Sequence, residues 1–316
     1  MRSYILTAPA KINLYLEIIG NRPDNFHELV MIMQSIDLAD IIEIQASSLD
    51  KIRIRTNNSQ LPTDESNLAY KAAKVMQQQF PQAFAQYGGV DITIDKRIPI
   101  AAGLAGGSTD AAAVLVGIDM MWELGLTRSE LEEIAATLGS DIPFCIGGGT
   151  AIATGRGEKL SSLTGLNNQY IVLGKHRSLE VSTPWAYKTY REKFSDAYIT
   201  DDNSFVEYAE AVHSSAMVKA IIHQNISEIA QELHNDLEKI VLPAYPKVLQ
   251  LREKFQKAGV LGTMMSGSGP SVFALCKSQQ QAEEIKLQIQ EAIPDEDLEL
   301  FVAQLINQGI QVSSEK

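Results

Sequence analysis

The stretch PIAAGLAGGSTDAAA, residues 99–113, decides the fold because it joins a strand-like run to a helix-like run through a glycine-rich loop. The alternating run VDITIDKRI precedes it, and the apolar run DAAAVLVGIDMMWEL follows it. Glycines let the backbone approach a ligand closely, and a helix that begins after such a loop presents free N–H groups and a positive dipole end. The stretch therefore predicts an anion-binding loop.

Two hydroxyl side chains, Ser108 and Thr109, stand at the end of this loop. Either one could cap the following helix, and either could hold a phosphate oxygen or Mg²⁺. No lysine precedes them, so the loop is not a Walker A motif, and its glycine spacing does not match G-x-G-x-x-G. A plain glycine-rich turn with a hydroxyl cap explains the same residues equally well.

Composition places the chain among soluble globular proteins, with 316 residues, 45% hydrophobic and 21% charged. The net charge of −12 argues against nonspecific nucleic-acid binding. An anionic substrate would therefore be held by local features, namely loop amides, a few Lys or Arg side chains and a metal ion. With no membrane-length apolar run and no signal-peptide pattern at the N-terminus, we expect a cytoplasmic protein with a small-molecule partner and no membrane or nucleic-acid partner.

The two cysteines, Cys145 and Cys276, occur in apolar contexts and are predicted to be buried free thiols. No Cys/His spacing indicates a zinc site.

Several charged and polar residues allow two interpretations when read alone. Lys11, between apolar neighbours, fits either an edge-strand gatekeeper or an ammonium that faces a site. Asp141, before Ile142 and Pro143, fits either a turn or a catalytic acid/base, since a carboxylate in an apolar setting needs a partner. Lys96 reads as a solvated charge.

The coarse pattern predicts an α+β protein in two halves. Strands are expected at residues 4–6 and 12–19 around a break at Pro9, and at 40–46 and 51–56; a helix is expected from about 110 to 123. Residues 20–29 read as a turn-rich loop. After residue 168 the order β-α-β-turn-β-α-β suggests a split βαβ arrangement. We therefore predict domains at 1–168 and 169–316, with the active site in the cleft between them.

Three stretches together resemble the GHMP kinase superfamily: APAKINL (residues 8–14), the glycine-rich loop, and GTMMSGSGPSVFAL (residues 262–275). The superfamily consists of small-molecule kinases whose ATP loop lies between a strand and a helix without a Walker A lysine. With RPDNFHEL and GSDIPF added, the order and spacing are most similar to the branch whose acceptor is 4-diphosphocytidyl-2-C-methylerythritol, in non-mevalonate isoprenoid synthesis. The resemblance is thinnest over about 191–229.

This resemblance implies a two-domain α+β kinase that uses ATP and Mg²⁺ to phosphorylate the 2-hydroxyl of that acceptor, as a monomer or homodimer. Lys11 and Asp141 would be catalytic. The substrate would contact Asn13, Phe26, His27, Thr183 and Tyr187, with residues 267–271 closing the pocket. The nucleotide would lie near Asn67, Leu68, Lys96, Gly103, Leu104, Ala105, Gly106, Gly107, Ser108 and Thr109. Mg²⁺ would be held mostly through ATP, with weak contributions from Ser108 and Thr109.

Two departures from the family pattern carry their own predictions. Ala105 stands where many relatives have glycine, which predicts that the backbone needs no positive φ there. Phe26 stands where the family often has tyrosine, which removes a hydroxyl and keeps a stacking face. With His27 and Tyr187, it is expected to recognise a cytosine base. The alternatives are a homoserine- or mevalonate-type kinase and a catalytically inactive nucleotide-binding regulator, against which the presence of both Lys11 and Asp141 argues.

Overall fold

The strands form one large mixed sheet. The structure is a computed structural model that describes residues 3–47, 50–199 and 202–315. Within these ranges the strands are β1 Ser3–Asn21, β2 His27–Ser47, β3 Ile52–Thr56, β4 Gly89–Asp95, β5 Thr150–Gly155, β6 Lys159–Ser162, β7 Tyr170–His176, β8 His234–Asn235, β9 Gly262–Met265, β10 Val272–Cys276, β11 Leu298–Ile306 and β12 Gln311–Glu315. The main path of the sheet runs β12-β1-β2-β11-β7-β10-β9.

The helices pack on this sheet and around its edges. They are α1 Leu68–Gln79, α2 Pro81–Tyr87, α3 Gly106–Met121, α4 Arg128–Ala136, α5 Ile142–Gly147, α6 Thr183–Phe194, α7 Asp202–Val212, α8 Ala216–Ile222, α9 Ile226–Gln231, α10 Glu238–Ala244, α11 Pro246–Lys257 and α12 Gln279–Ala292. A capping box of Thr127 and Glu130 begins α4. In the part of the chain that the structure covers, no helix combines the length and apolar character needed to cross a bilayer.

Strand β2 is the hub of the sheet. One of its edges pairs with β1 along almost its whole length, and the other pairs in turn with β5, β11 and β4. The strand predicted at residues 40–46 was therefore too short, because β2 begins at His27. The loop predicted at residues 20–29 was correspondingly too long. Residues 29–36 have strand partners on both edges that satisfy their backbone groups, and local sequence does not report such distant partners.

The predicted break at Pro9 was wrong, since β1 runs continuously from Ser3 to Asn21. The register between β1 and β2 shifts between Pro9 and Ala10. Proline has no N–H to give to a ladder, so a bulge is one of the few places where a strand accepts it. Two residues later, the Lys11 N–H donates to the Leu104 carbonyl at 3.1 Å, which ties β1 to the glycine-rich loop.

The second half has the predicted split βαβ topology. Its strands lie in the order β11-β7-β10-β9, with α11 between β7 and β9 in the chain and α12 between β10 and β11. The mixed α/β architecture is thus confirmed. The last strand, β12, returns to pair with β1. The boundary near residue 168 stays a prediction.

A buried ion cluster of Lys96, Asp40 and Asp110 clamps the two ends of the glycine-rich loop. The Lys96 ammonium lies 2.6 Å from the Asp40 carboxylate and 2.7 Å from that of Asp110, and all three side chains are at most 3% exposed. Asp40 also accepts from the backbone N–H groups of Arg97 and Ile98. The interpretation of Lys96 as a solvated charge was therefore wrong.

The charges in this cluster shift one another's protonation equilibria. Burial acts to lower the pKa of Lys96, but the carboxylates of Asp110 and Asp40 raise it above its ordinary value. Burial raises the pKa of the Asp110 carboxyl, while the Lys96 cation opposes that rise and the like charge of Asp40 adds to it. Lys96 therefore stays protonated between the two carboxyl groups.

We predict that Lys96→Met lowers the free energy of unfolding by about 3–5 kcal/mol, because it leaves two buried carboxyl groups without their cation. Urea unfolding at neutral pH measures the change. Lys74→Met, on the exposed face of α1, is the matched control and should alter stability by less than about 0.5 kcal/mol. Equal stabilities for the two variants would contradict the role given to the cluster.

Candidate active site

A single large cavity of about 970 Å³ brings the predicted site residues together from both halves of the chain. The N-terminal half contributes β1, the start of β2, the glycine-rich loop and the start of α5. The C-terminal half contributes the first three turns of α6 and the loop between β9 and β10. The cavity is therefore lined by residues of both halves of the chain, as expected for an active site that lies between them.

The glycine-rich loop leads directly into α3, whose first residues Gly106, Gly107 and Ser108 line the cavity. The helix begins at Gly106, four residues before the predicted start, so Ser108 and Thr109 lie inside its first turn and do not cap it. Its free amide groups and positive dipole end therefore border the cavity, where they can stabilise an anion.

Gly103 is the glycine on which the loop geometry depends most. Its φ is +75°, and an added Cβ would lie 2.3 Å from the Ser266 carbonyl oxygen. The Ser266 hydroxyl donates to the Gly103 carbonyl at 3.1 Å. The loop between β9 and β10 therefore packs directly on the glycine-rich loop, and no side chain fits between them.

The prediction for Ala105 was wrong. Ala105 precedes α3 with φ 58° and ψ 27°, in the left-handed region. Such a conformation costs a non-glycine residue about 1–2 kcal/mol, so the surrounding structure must impose it. The Ala105 carbonyl accepts the first helical hydrogen bond from the Thr109 N–H at 2.9 Å, which fixes the turn. The absence of glycine therefore does not signal the absence of a positive φ.

Lys11 and Asp141 face one another in the cavity. The Lys11 ammonium is 3.5 Å from the Asp141 carboxylate and 2.7 Å from Asn13 Oδ1. Lys11 and Asn13 are buried, whereas a third of the Asp141 side chain is exposed. Asp141 occupies the N-cap position of α5 yet makes no capping hydrogen bond, so its carboxylate remains available to the cavity. Burial excludes the gatekeeper interpretation of Lys11.

The first residues of β2 and helix α6 form an aromatic wall of the same cavity. The ring centroids of His27 and Tyr187 are 5.2 Å apart, and the two rings are tilted relative to one another. The Phe26 side chain is 52% exposed, and the Arg156 guanidinium lies 5.1 Å from the centroid of its ring. Burial, together with the nearby Arg191 cation, lowers the pKa of His27 to about 4. The imidazole is therefore neutral at physiological pH and can form directed hydrogen bonds.

Most predicted nucleotide and substrate residues line the cavity; Asn67, Leu68, Thr109 and the last two residues of the predicted closing segment, 270 and 271, do not. Asn67 caps α1 by accepting from the Ala69 N–H, Leu68 lies behind Gly107, and the Thr109 side chain is fully buried. Thr183 lines the cavity with its hydroxyl 2.7 Å from that of Ser268. The predicted lining residues are Lys11, Asn13, Phe26, His27, Lys96, Gly103, Leu104, Ala105, Gly106, Gly107, Ser108, Asp141, Thr183, Tyr187 and residues 267–269.

Three basic residues of the cavity were missed by sequence reasoning: Arg156, Lys188 and Arg191. With Lys11 and Lys96 they make five cationic side chains, against the single carboxylate of Asp141, among the described residues of the wall. The chain as a whole carries −12. The cavity wall thus has an excess of cationic side chains although the chain as a whole is negative, and such a wall suits a polyanionic ligand. The TPWAYKTYR helix carried the signal for two of them, since Lys188 and Arg191 follow Tyr187 by one and four residues.

No ready-made metal cage is present among the described residues, because no three His, Cys, Asp or Glu side chains converge on a point. Of the two hydroxyl residues, Ser108 lines the cavity, whereas the Thr109 side chain is fully buried outside its lining. Such a donor set suits Mg²⁺, which keeps most of its oxygen ligands from phosphate and water.

This architecture and site define a member of the GHMP kinases, and comparisons with known proteins agree. Residues 67–149 match the family described as GHMP kinases N terminal domain, and residues 217–295 match GHMP kinases C terminal. The chain therefore belongs to the GHMP kinase family. It is 68% identical over 315 residues to a protein of Nostoc punctiforme named 4-diphosphocytidyl-2-C-methyl-D-erythritol kinase, with 99% of each chain covered.

Solved structures support the same placement. A crystal structure of 4-(cytidine 5′-diphospho)-2C-methyl-D-erythritol kinase superposes with a TM-score of 0.73 at 28% identity, covering 95% of this chain and 98% of that one. Homoserine kinase from Cytophaga hutchinsonii also gives 0.73, at 19% identity over 98% and 97% of the two chains, which shows the shared fold alone.

Gly107→Val should raise the ATP KM by about tenfold or more while the protein stays folded. An added Cβ at Gly107 meets no protein atom closer than 3.6 Å, so the branched side chain would occupy the cavity and not the core. Gly106 is less suitable, because its Cβ would lie 3.0 Å from the Lys96 ammonium. Steady-state kinetics with a thermal melt test this; unchanged ATP affinity in a folded variant would refute the loop assignment.

Proposed function

We propose that this chain transfers the γ-phosphoryl group of ATP to the 2-hydroxyl of 4-diphosphocytidyl-2-C-methyl-D-erythritol, giving the 2-phosphate and ADP in the cytoplasm. The observation that carries the proposal is one cavity lined by an anion-binding helix start, a Lys11–Asp141 pair and an imidazole–aromatic wall. The reaction needs all three, because the phosphates of ATP need an anion site, the attacking hydroxyl needs a proton acceptor, and the cytosine base of the acceptor needs a recognition surface. The name of the Nostoc relative, 4-diphosphocytidyl-2-C-methyl-D-erythritol kinase, supports the same acceptor.

Phosphoryl transfer requires mainly that the reacting groups be positioned and that the negative charge of the phosphates be neutralised. The amides of residues 103–109 cradle the β- and γ-phosphates. Asp141 accepts the proton of the attacking hydroxyl, and Lys11, 3.5 Å away, stabilises negative charge on the acceptor oxygen. Asn13 holds the Lys11 ammonium in place through their 2.7 Å hydrogen bond. This pair therefore acts as a unit.

Mg²⁺ fits this site as an ion carried largely by ATP, with the Ser108 hydroxyl as its neighbour in the protein, whereas the buried Thr109 hydroxyl does not reach the cavity. It supplies neutralisation of the phosphate charge. Lys96 is held by Asp40 and Asp110, so it shapes the loop and does not reach freely for the nucleotide.

An acceptor panel with ATP and Mg²⁺, read by ADP release, tests the function. The cytidine-diphosphate acceptor should be turned over, whereas homoserine, mevalonate and galactose should give rates near background. Turnover of one of these controls with higher kcat/KM than the cytidine acceptor would replace the proposal by another small-molecule kinase. Nucleotide binding without any turnover would favour an inactive regulator.

Asp141→Asn should lower kcat by roughly 10²–10⁴ with ATP affinity retained, because it removes the charge and the basicity but keeps the size. Lys11→Ala should lose rate too, and the double variant should be far less than multiplicatively worse. Glu133→Gln, on the exposed face of α4, controls for charge loss nearby. Near-full kcat in folded Asp141→Asn, with chemistry rate-limiting, would disprove the pairing.

His27→Ala and Phe26→Ala should each weaken the acceptor by about 1–3 kcal/mol, the range for a lost buried hydrogen bond or a lost base stack. The ATP KM should stay constant, and Phe26→Ala should melt like the wild type because Phe26 is exposed. Since the pKa of His27 is about 4, the acceptor KM should be flat from about pH 5.5 to about pH 8. Equal kcat/KM for cytidine and uridine forms would remove the cytosine assignment.

A further inference from the structure

One guanidinium joins the two halves of the cavity wall. Arg191, in the third turn of α6, donates from Nε to His27 Nε2 at 3.3 Å and from Nη2 to the Asn25 carbonyl at 2.8 Å. Asn25 has φ 67°, so its carbonyl is turned out of the strand direction in the short connection between β1 and β2. The two contacts fix both the connection and the first side chain of β2.

The contact with His27 decides which ring nitrogen carries the proton. A guanidinium is always protonated and has donors only, so a nitrogen that it hydrogen-bonds must be an unprotonated acceptor. A neutral imidazole whose Nε2 accepts has its proton on Nδ1. No residue that the structure describes hydrogen-bonds to Nδ1, and His27 lines the cavity. The Nδ1–H group is therefore left for a ligand.

The charge on His27 is fixed by the same neighbour. Protonation of Nε2 would point its hydrogen at the Arg191 cation, and burial penalises the charged ring further. Both effects lower the pKa of His27, to about 4. The neutral ring therefore persists over the physiological pH range, and its donor and acceptor do not exchange roles by titration.

We propose that Arg191 is a positioning residue for base recognition: it locks His27 as the Nδ1-protonated tautomer, so that the imidazole presents a hydrogen-bond donor to the base. This inference rests on the proposed cytidine-diphosphate acceptor. The Watson–Crick edge of cytosine has two adjacent acceptors, O2 and N3, whereas N3 of uracil carries a hydrogen. A fixed donor that faces N3 pairs with cytosine and opposes uracil, which leaves two buried N–H groups unpaired in the uridine complex.

The competing role for Arg191 is attraction of the acceptor's diphosphate by its charge alone. That role predicts equal losses for cytidine and uridine forms on removing the charge, and it predicts no change in the His27 tautomer. Arg191→Lys separates the two roles, because lysine keeps the charge but lacks the planar fork that reaches both Asn25 and His27. Lys193→Met, an exposed charge loss on the same helix, is the matched control.

The test combines nitrogen NMR of ¹⁵N-histidine-labelled protein with kinetics on both acceptors. His27→Gln assigns the His27 signals among the five histidines. Wild type and Lys193→Met should show Nδ1–H at His27. Arg191→Met and Arg191→Lys should show a mixture with Nε2–H, which predominates for free histidine. In the same two variants the cytidine-over-uridine ratio of kcat/KM should fall by about tenfold or more, with the ATP KM unchanged.

Two results would overturn the proposal. One is an Nε2–H tautomer at His27 in the wild type. The other is an unchanged cytidine-over-uridine ratio in Arg191→Met, which assigns the residue to the diphosphate. If Arg191→Met melts far below the wild type, Arg191→Lys carries the decision. Failure of the proposed function looks different: the wild type would turn over neither acceptor, and the spectra would still report whether Arg191 sets the tautomer.

Discussion

The clamp of Lys96 by Asp40 and Asp110 is the interaction on which the conformation of the glycine-rich loop depends. Lys96 lies just before the loop and Asp110 lies in the helix that follows it, so their contact closes a loop of about a dozen residues at its base. Asp40 anchors that base to the central strand β2 and to the next two backbone amides. Buried charges tolerate little displacement, because separating them leaves each one unpaired in the protein interior, which solvates charge poorly. The loop therefore keeps its shape without any ligand.

The second constraint is the contact between loops from the two halves. Gly103 and Ser266 approach so closely that only hydrogen fits between them, and Asn235 holds the second loop by donating to the carbonyls of Met265 and Gly267. The two loops of the cavity wall are therefore packed directly against one another. A substitution in either loop is expected to change the conformation of both.

Sequence reasoning located the strand–loop–helix at residues 99–113, the topology of the second half and the residues that meet in the cavity. It succeeded where the cause is local, as with glycine in a turn or alternation in a strand. It failed where the cause lies far along the chain. Lys96 is buried because Asp40, 56 residues earlier, is placed beside it, and residues 29–36 are a strand because they have neighbouring strands on both edges. The positive φ of Ala105 is imposed by its surroundings and not by its own preference.

The return of β12 to the edge of β1 has a consequence for how the molecule is made. Tyr4 pairs with Glu315, so β1 obtains this partner only after all the other described strands have been synthesised. Until then part of that edge presents unpaired amides and carbonyls, the usual template for edge-to-edge association between nascent chains. Closing so long a segment of chain is entropically costly and slow compared with local pairing. Strand β12 thus pairs late in biogenesis, and its pairing protects an edge of β1 that would otherwise be free to associate with other chains.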